Sequence, residues 1–346
     1  MKIEQIEFFV QNAQEWRHWF EQKMGFQWQS TVEDTQTISH CLRSGEIHIK
    51  LSSASHPQSP VFDYLQRHPP GVVNLVFHVE NLDPILERLA QHNWMYCVLQ
   101  GYHKRGITIE VIDGLTQTLI EEDSHRLSPG NNNTVTGINA IDHIVLNVPQ
   151  GKLESVVKWY SDVFDLIPQQ QFKIQTEQSG LYSQVLVHPQ TGFQLAINEP
   201  TSRNSQIQEF LDYNGKAGIQ HIALKVENII KATKYLSLSG VRFLQTPNQY
   251  YQDLKGRTPP LPLSPFQWQD LEQWQILVEH QPSCLPNQGD ALLLQIFTEP
   301  IFREPTFFFE LIERRNQAQG FGEGNFKALF KAIERQQIQR QKNELQ

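Results

Sequence analysis

The stretch "GIQHIALKVEN" (218–228) decides how this chain is read. Its apolar run and polar exit mark a strand, yet His221 sits in the middle of it. The stretch "GINAIDHIVLNV" (137–148) carries His143 in the same way. Two earlier strands, "IEQIEFFV" (3–10) and "VVNLVFHVEN" (72–81), hold Gln5 and Asn74 at the matching positions. One half of the chain has a pair of strand histidines that the other half lacks.

Working outward from these strands exposes an internal repeat. Residues 3–26 and 141–166 each read as an alternating strand, a polar break and an amphipathic helix with an aromatic pair. Residues 72–94 and 219–241 each read as a strand, then Val-Glu-Asn, then a helix. Asn81 and Asn228 are expected to cap the helices that follow, by accepting bonds from free N–H groups. The last strands, "TQTLIEED" and "PTFFFELIER", set Glu121 against Glu310. Each half is therefore a pair of βαβββ modules, an α+β arrangement that curls a sheet into a half-open barrel. The expected organisation is an N-terminal domain without metal (1–125), a linker rich in Pro, Gly, Ser and Asn (126–137) and a catalytic domain (138–346). The second half carries an insertion, "TPNQYYQDLKGRTPPLPLSPFQWQ" (246–269), with no clear period. Such an excursion is expected to wall a site.

The chain has 346 residues, long enough for two domains. Hydrophobic residues at 39% and charged residues at 19% describe an ordinary globular protein. A net charge of −8 argues against a general nucleic-acid binder, which needs a basic face. No apolar run reaches the ~20 residues of a membrane span, and the N-terminus does not read as a signal peptide. Cys41, Cys97 and Cys284 stand far apart in no metal spacing, so a reducing, cytoplasmic setting is expected.

Alternate side chains of a strand share a face. Ile141, His143 and Val145 are expected on one face, as are Ile219, His221 and Ala223, and Phe308, Glu310 and Ile312. A lone histidine on an apolar strand is usually a hydrogen-bonded core residue. Three polar intrusions at matching module positions, confined to one half, favour a metal. An unpaired buried carboxylate after three phenylalanines would otherwise be costly. Two imidazoles and a carboxylate on one face of a metal suit non-haem Fe(II), because open positions remain for dioxygen and an anionic substrate.

Near the C-terminus, "GFGEGNF" (320–326) has glycines but no preceding strand of a βαβ unit and no Lys-Ser/Thr ending, so it does not read as a phosphate loop. A flexible hinge before a helix fits better. That helix has an apolar stripe at Phe326, Leu329, Phe330 and Ile333.

Taken together, "SQIQEFLDYNGKAGIQHIAL" (205–224), "LLLQIFTEP" (292–300), "PTFFFELIERR" (305–315) and "GFGEGNFKALFKAIE" (320–334) resemble the 4-hydroxyphenylpyruvate dioxygenase family, of vicinal-oxygen-chelate architecture. The resemblance covers the second half in detail and the first in layout. It implies Fe(II) held by His143, His221 and Glu310. The implied reaction takes 4-hydroxyphenylpyruvate and O₂ to homogentisate and CO₂ by oxidative decarboxylation, ring hydroxylation and side-chain migration. By the same resemblance, Gln206 lies near the substrate's phenol end, Asn198 and Ser183 are polar pocket residues, and Gln295 is an amide close to the metal. Phe297 lies on the same strand face as Gln295, while Phe321, Asn325 and Phe326 belong to a C-terminal helix that closes the mouth. Homo-oligomers are common in the family. No nucleic-acid or membrane partner is expected.

One departure is visible. The family usually has proline two residues before the Asn of "NEP", and this chain has Ala196. Three alternatives remain open. Hydroxymandelate synthase shares the metal and early steps but oxidises the benzylic carbon. Extradiol ring-cleaving dioxygenases use this triad yet lack the Gln-Ile-Gln run and the Gly-Phe-Gly tail. A non-catalytic small-molecule-binding protein of the same modules would not need the triad.

Overall fold

A computed structural model describes residues 1–99, 105–121, 134–176, 179–256, 261, 263–282 and 290–344. The first half forms β1 (Lys2–Phe9), β2 (Gln27–Glu33), β3 (Thr37–Ser44), β4 (Ile47–Ala54), β5 (Gly71–Val79), β6 (Cys97–Val98), β7 (Gly106–Ile112) and β8 (Leu115–Glu121). The second forms β9 (Ile138–Asn147), β10 (Ile167–Gln175), β11 (Gly180–Val187), β12 (Gln194–Pro200), β13 (Gly218–Val226), β14 (Leu277–Gln281), β15 (Ala291–Phe297) and β16 (Phe308–Arg315). The helices are α1 (Ala13–Trp19), α2 (Pro60–Leu65), α3 (Asp83–Gln91), α4 (Leu153–Phe164), α5 (Gln206–Asn214), α6 (Ile229–Leu238), α7 (Asn248–Lys255), α8 (Pro265–Gln273) and α9 (Glu323–Glu344).

The two sheets repeat one topology. Their strand orders are β2-β3-β4-β1-β5-β8-β7-β6 and β10-β11-β12-β9-β13-β16-β15-β14. In each, the two module-opening strands pair antiparallel at the centre, β1 with β5 and β9 with β13, and their outer neighbours run parallel to them. This is the fold expected from the repeat. The halves are not separate cores, however. Phe8 packs edge-on against Phe307 at 5.1 Å, Phe77 lies 5.6 Å from Phe193, and the buried apolar cluster runs through both sheets.

Register corrects three details. Strict alternation fails at three register shifts, at Asn139, Asp142 and Gln220, where one strand bulges by an extra residue. Ile141 and Ile219 consequently pack with the continuous core, while His143 and His221 turn to the concave face. The partner of Glu310 in the first half is Thr118, since Ala223 pairs with Glu310 and Val76 with Thr118. Glu121 instead matches Glu313. Glu121 Oε2 accepts from the N–H of Leu82 at 2.8 Å, and Glu313 Oε2 from that of Ile229 at 2.8 Å. Finally, Asn228 caps α6 by accepting from Lys231 N at 2.9 Å, but Asn81 does not cap α3. It accepts from Asp83 N, and Pro84 offers no N–H at the position a cap would use next.

The insertion is not structureless. It contains α7 and α8, the latter opened by a Ser264–Gln267 capping box. Residues 126–133 of the expected linker, residues 257–260 and 262 of the insertion, and Cys284 lie outside the described residues. The linker's end, Thr134–Gly137, closes a turn in which Gly137 N donates to Thr134 O at 3.1 Å. No helix among the described residues is long and apolar enough to cross a membrane.

Candidate metal centre

The bulges bring His143 from β9, His221 from β13 and Glu310 from β16 together on the concave face of the second sheet. All three are nearly sealed from solvent, at 1%, 4% and 1% exposure. His143 Nε2 lies 3.1 Å and His221 Nε2 3.6 Å from Glu310 Oε2. A metal bound at about 2.0–2.2 Å by ligands at right angles separates its donor atoms by about 3 Å. The spacing and the donor set therefore fit a divalent cation, and this is the one such cluster found among the described residues.

The surroundings fix how each ligand is presented. Asp142 Oδ1 lies 3.0 Å from His143 Nδ1, which turns Nε2 toward Glu310. Asp142 is itself gripped by Arg314, whose Nε and Nη2 reach its two oxygens at 2.8 and 2.6 Å. The remaining Arg314 nitrogen donates to the carbonyls of Ala318 and Gly320, at 3.1 and 2.9 Å. Burial would raise the Asp142 pKa, but the Arg314 and His143 bonds outweigh it and hold the carboxyl far below its ordinary range. Burial likewise opposes a charge on His143, yet Glu310 and Asp142 together push it up to about 9. His221 is held well below its ordinary value by burial and by its neighbour His143. The carboxylate thus collects positive charge on one imidazole only, and a cation can replace that proton.

A second chain of hydrogen bonds reaches Glu310. Gln295 Nε2 donates to Glu310 Oε1 at 2.8 Å, leaving Oε2 for the metal. Asn325 Nδ2 donates to Gln295 Oε1 at 2.8 Å, and Asn325 Oδ1 lies 2.9 Å from the Tyr250 hydroxyl. The insertion, the C-terminal helix and a metal ligand are joined in one line.

The pocket in front of the triad is lined by Ser183, Asn198, Gln295, Phe297, Phe321 and Phe326, with Val145, Phe172 and Ala196. Ser183 and Asn198 face each other across β11 and β12 and are 1% exposed. Asn198 Oδ1 has no partner among the described residues, so an acceptor waits in the wall. The ring of Phe321 lies 4.4 Å from that of His143, and Phe326 meets Phe172 edge-on at 5.8 Å. Phe297 sits behind His221 at 6.3 Å.

Gln206 is placed differently. It opens α5, is 4% exposed, and lines an adjoining small cavity with Gln220, Thr298 and Thr306. Phe308, stacked on His221 at 4.7 Å, borders that cavity. Gln206 Oε1 and Thr306 Oγ1 have no partner there among the described residues.

Two of the glycines of "GFGEGNF" have a conformational reason. Gly320 and Gly322 hold φ of 75° and 72°, and a Cβ on Gly322 would lie 2.2 Å from Gln295 Oε1. The turn is shaped to let Gln295 reach Glu310. In the helix that follows, Leu329 and Phe330 are buried at 4% and 0%, so α9 packs as well as covers.

Asp142, Arg314, Tyr250 and Gln220 are not picked out by the sequence, and Phe308 only as a neighbour of Glu310 on its strand face. Asp142 and Gln220 carry a signal, their positions directly before the strand histidines His143 and His221.

The model of the Glyoxalase/Bleomycin resistance protein/Dioxygenase superfamily matches residues 2–118 and 140–259. A 4-hydroxyphenylpyruvate dioxygenase of Sus scrofa is 33% identical over 365 residues, covering 96% of this chain and 90% of its own. One from Legionella pneumophila (strain Corby) is 34% identical over 328 residues, covering 92% and 89%. An uncharacterized protein of Synechocystis sp. is 34% identical over 342 residues, covering 96% and 97%. Among solved structures, a mutant of 4-hydroxymandelate synthase from Streptomyces coelicolor superposes with a TM-score of 0.82 at 25% identity, covering 97% of this chain and 98% of that one. By family model, by identity over nearly its whole length and by fold, the chain belongs to the 4-hydroxyphenylpyruvate dioxygenase family of that superfamily.

Proposed function

We propose that this chain converts 4-hydroxyphenylpyruvate and O₂ to homogentisate and CO₂, with Fe(II) held by His143, His221 and Glu310. In this reading residues 138–346 are catalytic and residues 1–125 hold no metal. The observation that carries it is the single cavity in which the buried triad faces Ser183 and Asn198 across an aromatic wall. The dioxygenase relatives of pig and Legionella support the same reaction.

Chelation of a 2-oxo acid and one-electron chemistry with O₂ are what Fe(II) supplies when bound. This chain's own residues do the rest. Asp142 keeps the His143 proton on Nδ1 and Gln295 holds Glu310 Oε1, which aims two of the donor atoms. His221, whose Nδ1 has no partner among the described residues, is held by the stacked ring of Phe308. Ser183 and Asn198 offer hydrogen bonds to a phenol hydroxyl at the opposite wall. Phe297, Phe321 and Phe326 shape the space around the ring and exclude water from it. Gln206 and Gln220 act from the adjoining cavity, where the orphaned Gln206 oxygen needs a donor.

The test is aerobic incubation of purified protein with Fe(II), ascorbate and 4-hydroxyphenylpyruvate, followed by product identification. Homogentisate is expected. Hydroxymandelate would instead select the second reading, to which the solved synthase neighbour lends weight. No consumption of the keto acid would overturn both.

A further inference from the structure

The first barrel, where the triad has no counterpart, is not filled with apolar side chains. The positions that match His143, His221 and Glu310 hold Gln5, Asn74 and Thr118, and these join a polar network around a carboxylate. Glu7 Oε2 accepts from Asn74 Nδ2 at 3.1 Å, and Glu7 Oε1 accepts from Gln5 Nε2 at 2.9 Å. Lys50 Nζ lies 3.2 Å from the same Oε1. The side chains of Glu7 and Lys50 keep only 18% and 33% of their exposure. Around them lies a cavity of about 530 Å³, within the usual range for small-molecule sites.

A half-buried ion pair recovers little net stability, and an apolar filling of the same space would be cheaper. The network also has capacity left over. An ammonium has three donors, and Glu7 is the one partner of Lys50 among the described residues. A carboxylate offers about four lone-pair sites, and three are taken on Glu7. Unused donors on a cation therefore stand beside an unused acceptor site on an anion. At the end of the same strand face, about 7 Å from Glu7, Phe9 and Tyr64 meet edge-on with centroids 5.5 Å apart. Both line the cavity.

We propose that the concave face of the first sheet binds a free α-amino acid with an apolar or aromatic side chain. Its ammonium sits on Glu7, its carboxylate on Lys50 and its side chain against Phe9 and Tyr64. A zwitterion uses the spare capacity of both Glu7 and Lys50, whereas an amine or an acid alone uses that of only one. The proposal does not depend on the reaction assigned to the other barrel.

The test is calorimetric titration of the full chain with L-phenylalanine and L-leucine, alongside 3-phenylpropionate and phenethylamine, which each lack one charge. Saturable binding of L-phenylalanine at one per chain is expected, with either analogue weaker by about tenfold or more. Glu7→Gln and Lys50→Met should each weaken it by a similar factor. Tyr64→Leu, which alters no charge, should also raise Kd, so the idea stays testable if a charge variant fails to fold. His143→Ala should bind as the wild type does. The proposal is overturned if neither L-phenylalanine nor L-leucine saturates, if Glu7→Gln and Lys50→Met bind unchanged, or if His143→Ala abolishes binding while Glu7→Gln retains it.

Discussion

The hydroxyl of Tyr250 lies 2.9 Å from Asn325 Oδ1, and the N–H of Val278 donates to that hydroxyl at 2.8 Å. At the far end the Glu310 carboxylate accepts from the Gln295 amide, whose oxygen accepts from the Asn325 amide. Asn325 Oδ1 therefore faces the phenol, whose proton can go to it at 2.9 Å or to the Val278 carbonyl at 3.1 Å. Removing the first hydroxyl frees two amides to flip. A flipped Gln295 would present its oxygen to the Glu310 carboxylate. Tyr250→Phe is therefore expected to fold and bind metal, with turnover lower by about 10–100-fold, the usual cost of disturbing a ligand's support. Steady-state kinetics paired with metal content would check this, and a wild-type rate would contradict it.

The metal site should be confined to the second sheet. His143→Ala, His221→Ala and Glu310→Ala are each expected to lose bound iron or turnover. Gln5→Ala and Asn74→Ala should keep both. Metal analysis after reconstitution with Fe(II) decides the matter, and two irons per chain would contradict the assignment. Chelation should abolish activity. Fe(II) should restore it and Zn(II) should not, because zinc has no redox chemistry.

Gly322 and Gly324 are predicted to differ. Gly322→Ala drives a methyl into Gln295 Oε1 and places a side chain at a φ of 72°, a backbone region that costs roughly 1–2 kcal/mol. It should lose most of its turnover. Gly324 lies in α9, where an added Cβ would meet Glu279 Oε2 at an ordinary 3.5 Å and leave intact the 2.8 Å bond that the Gly324 N–H donates to that oxygen. Gly324→Ala should be neutral or slightly stabilising, by up to about 1 kcal/mol. Thermal unfolding and kinetics of the two variants side by side would show whether the turn is shaped or merely loose.

Arg314 is expected to matter for stability as much as for chemistry. Its side chain and that of Asp142 are 12% and 6% exposed, and no other cation is paired with Asp142 among the described residues apart from the adjacent imidazole. Arg314→Met strands that carboxylate and should cost about 3–5 kcal/mol, the range for breaking a buried pair from one side. Removing both partners, as Asp142→Asn with Arg314→Met, should recover part of the loss. Chemical denaturation of the single and double variants measures the coupling, and additive effects would argue against it.

Much of this was open to sequence because it is local. Period-two alternation, Val-Glu-Asn before each second helix and the contrast of His143 and His221 with Gln5 and Asn74 all lie within single elements. They determined the repeated modules, the triad and the covering helix. What crosses between elements was decided only in three dimensions. The bulges at Asp142 and Gln220 set which side chains face the metal, and strand pairing alone showed that Thr118, not Glu121, stands where Glu310 does. Arg314 meets Asp142 across 172 positions of chain, and Tyr250 meets Asn325 across 75. Gln206, singled out by its motif, came to lie in the neighbouring cavity because α5 delivers it beyond Phe308. The physical reason is the same in each case. A hydrogen bond or a register shift between distant segments depends on where whole strands are placed, and no local pattern of apolar and polar residues carries that information.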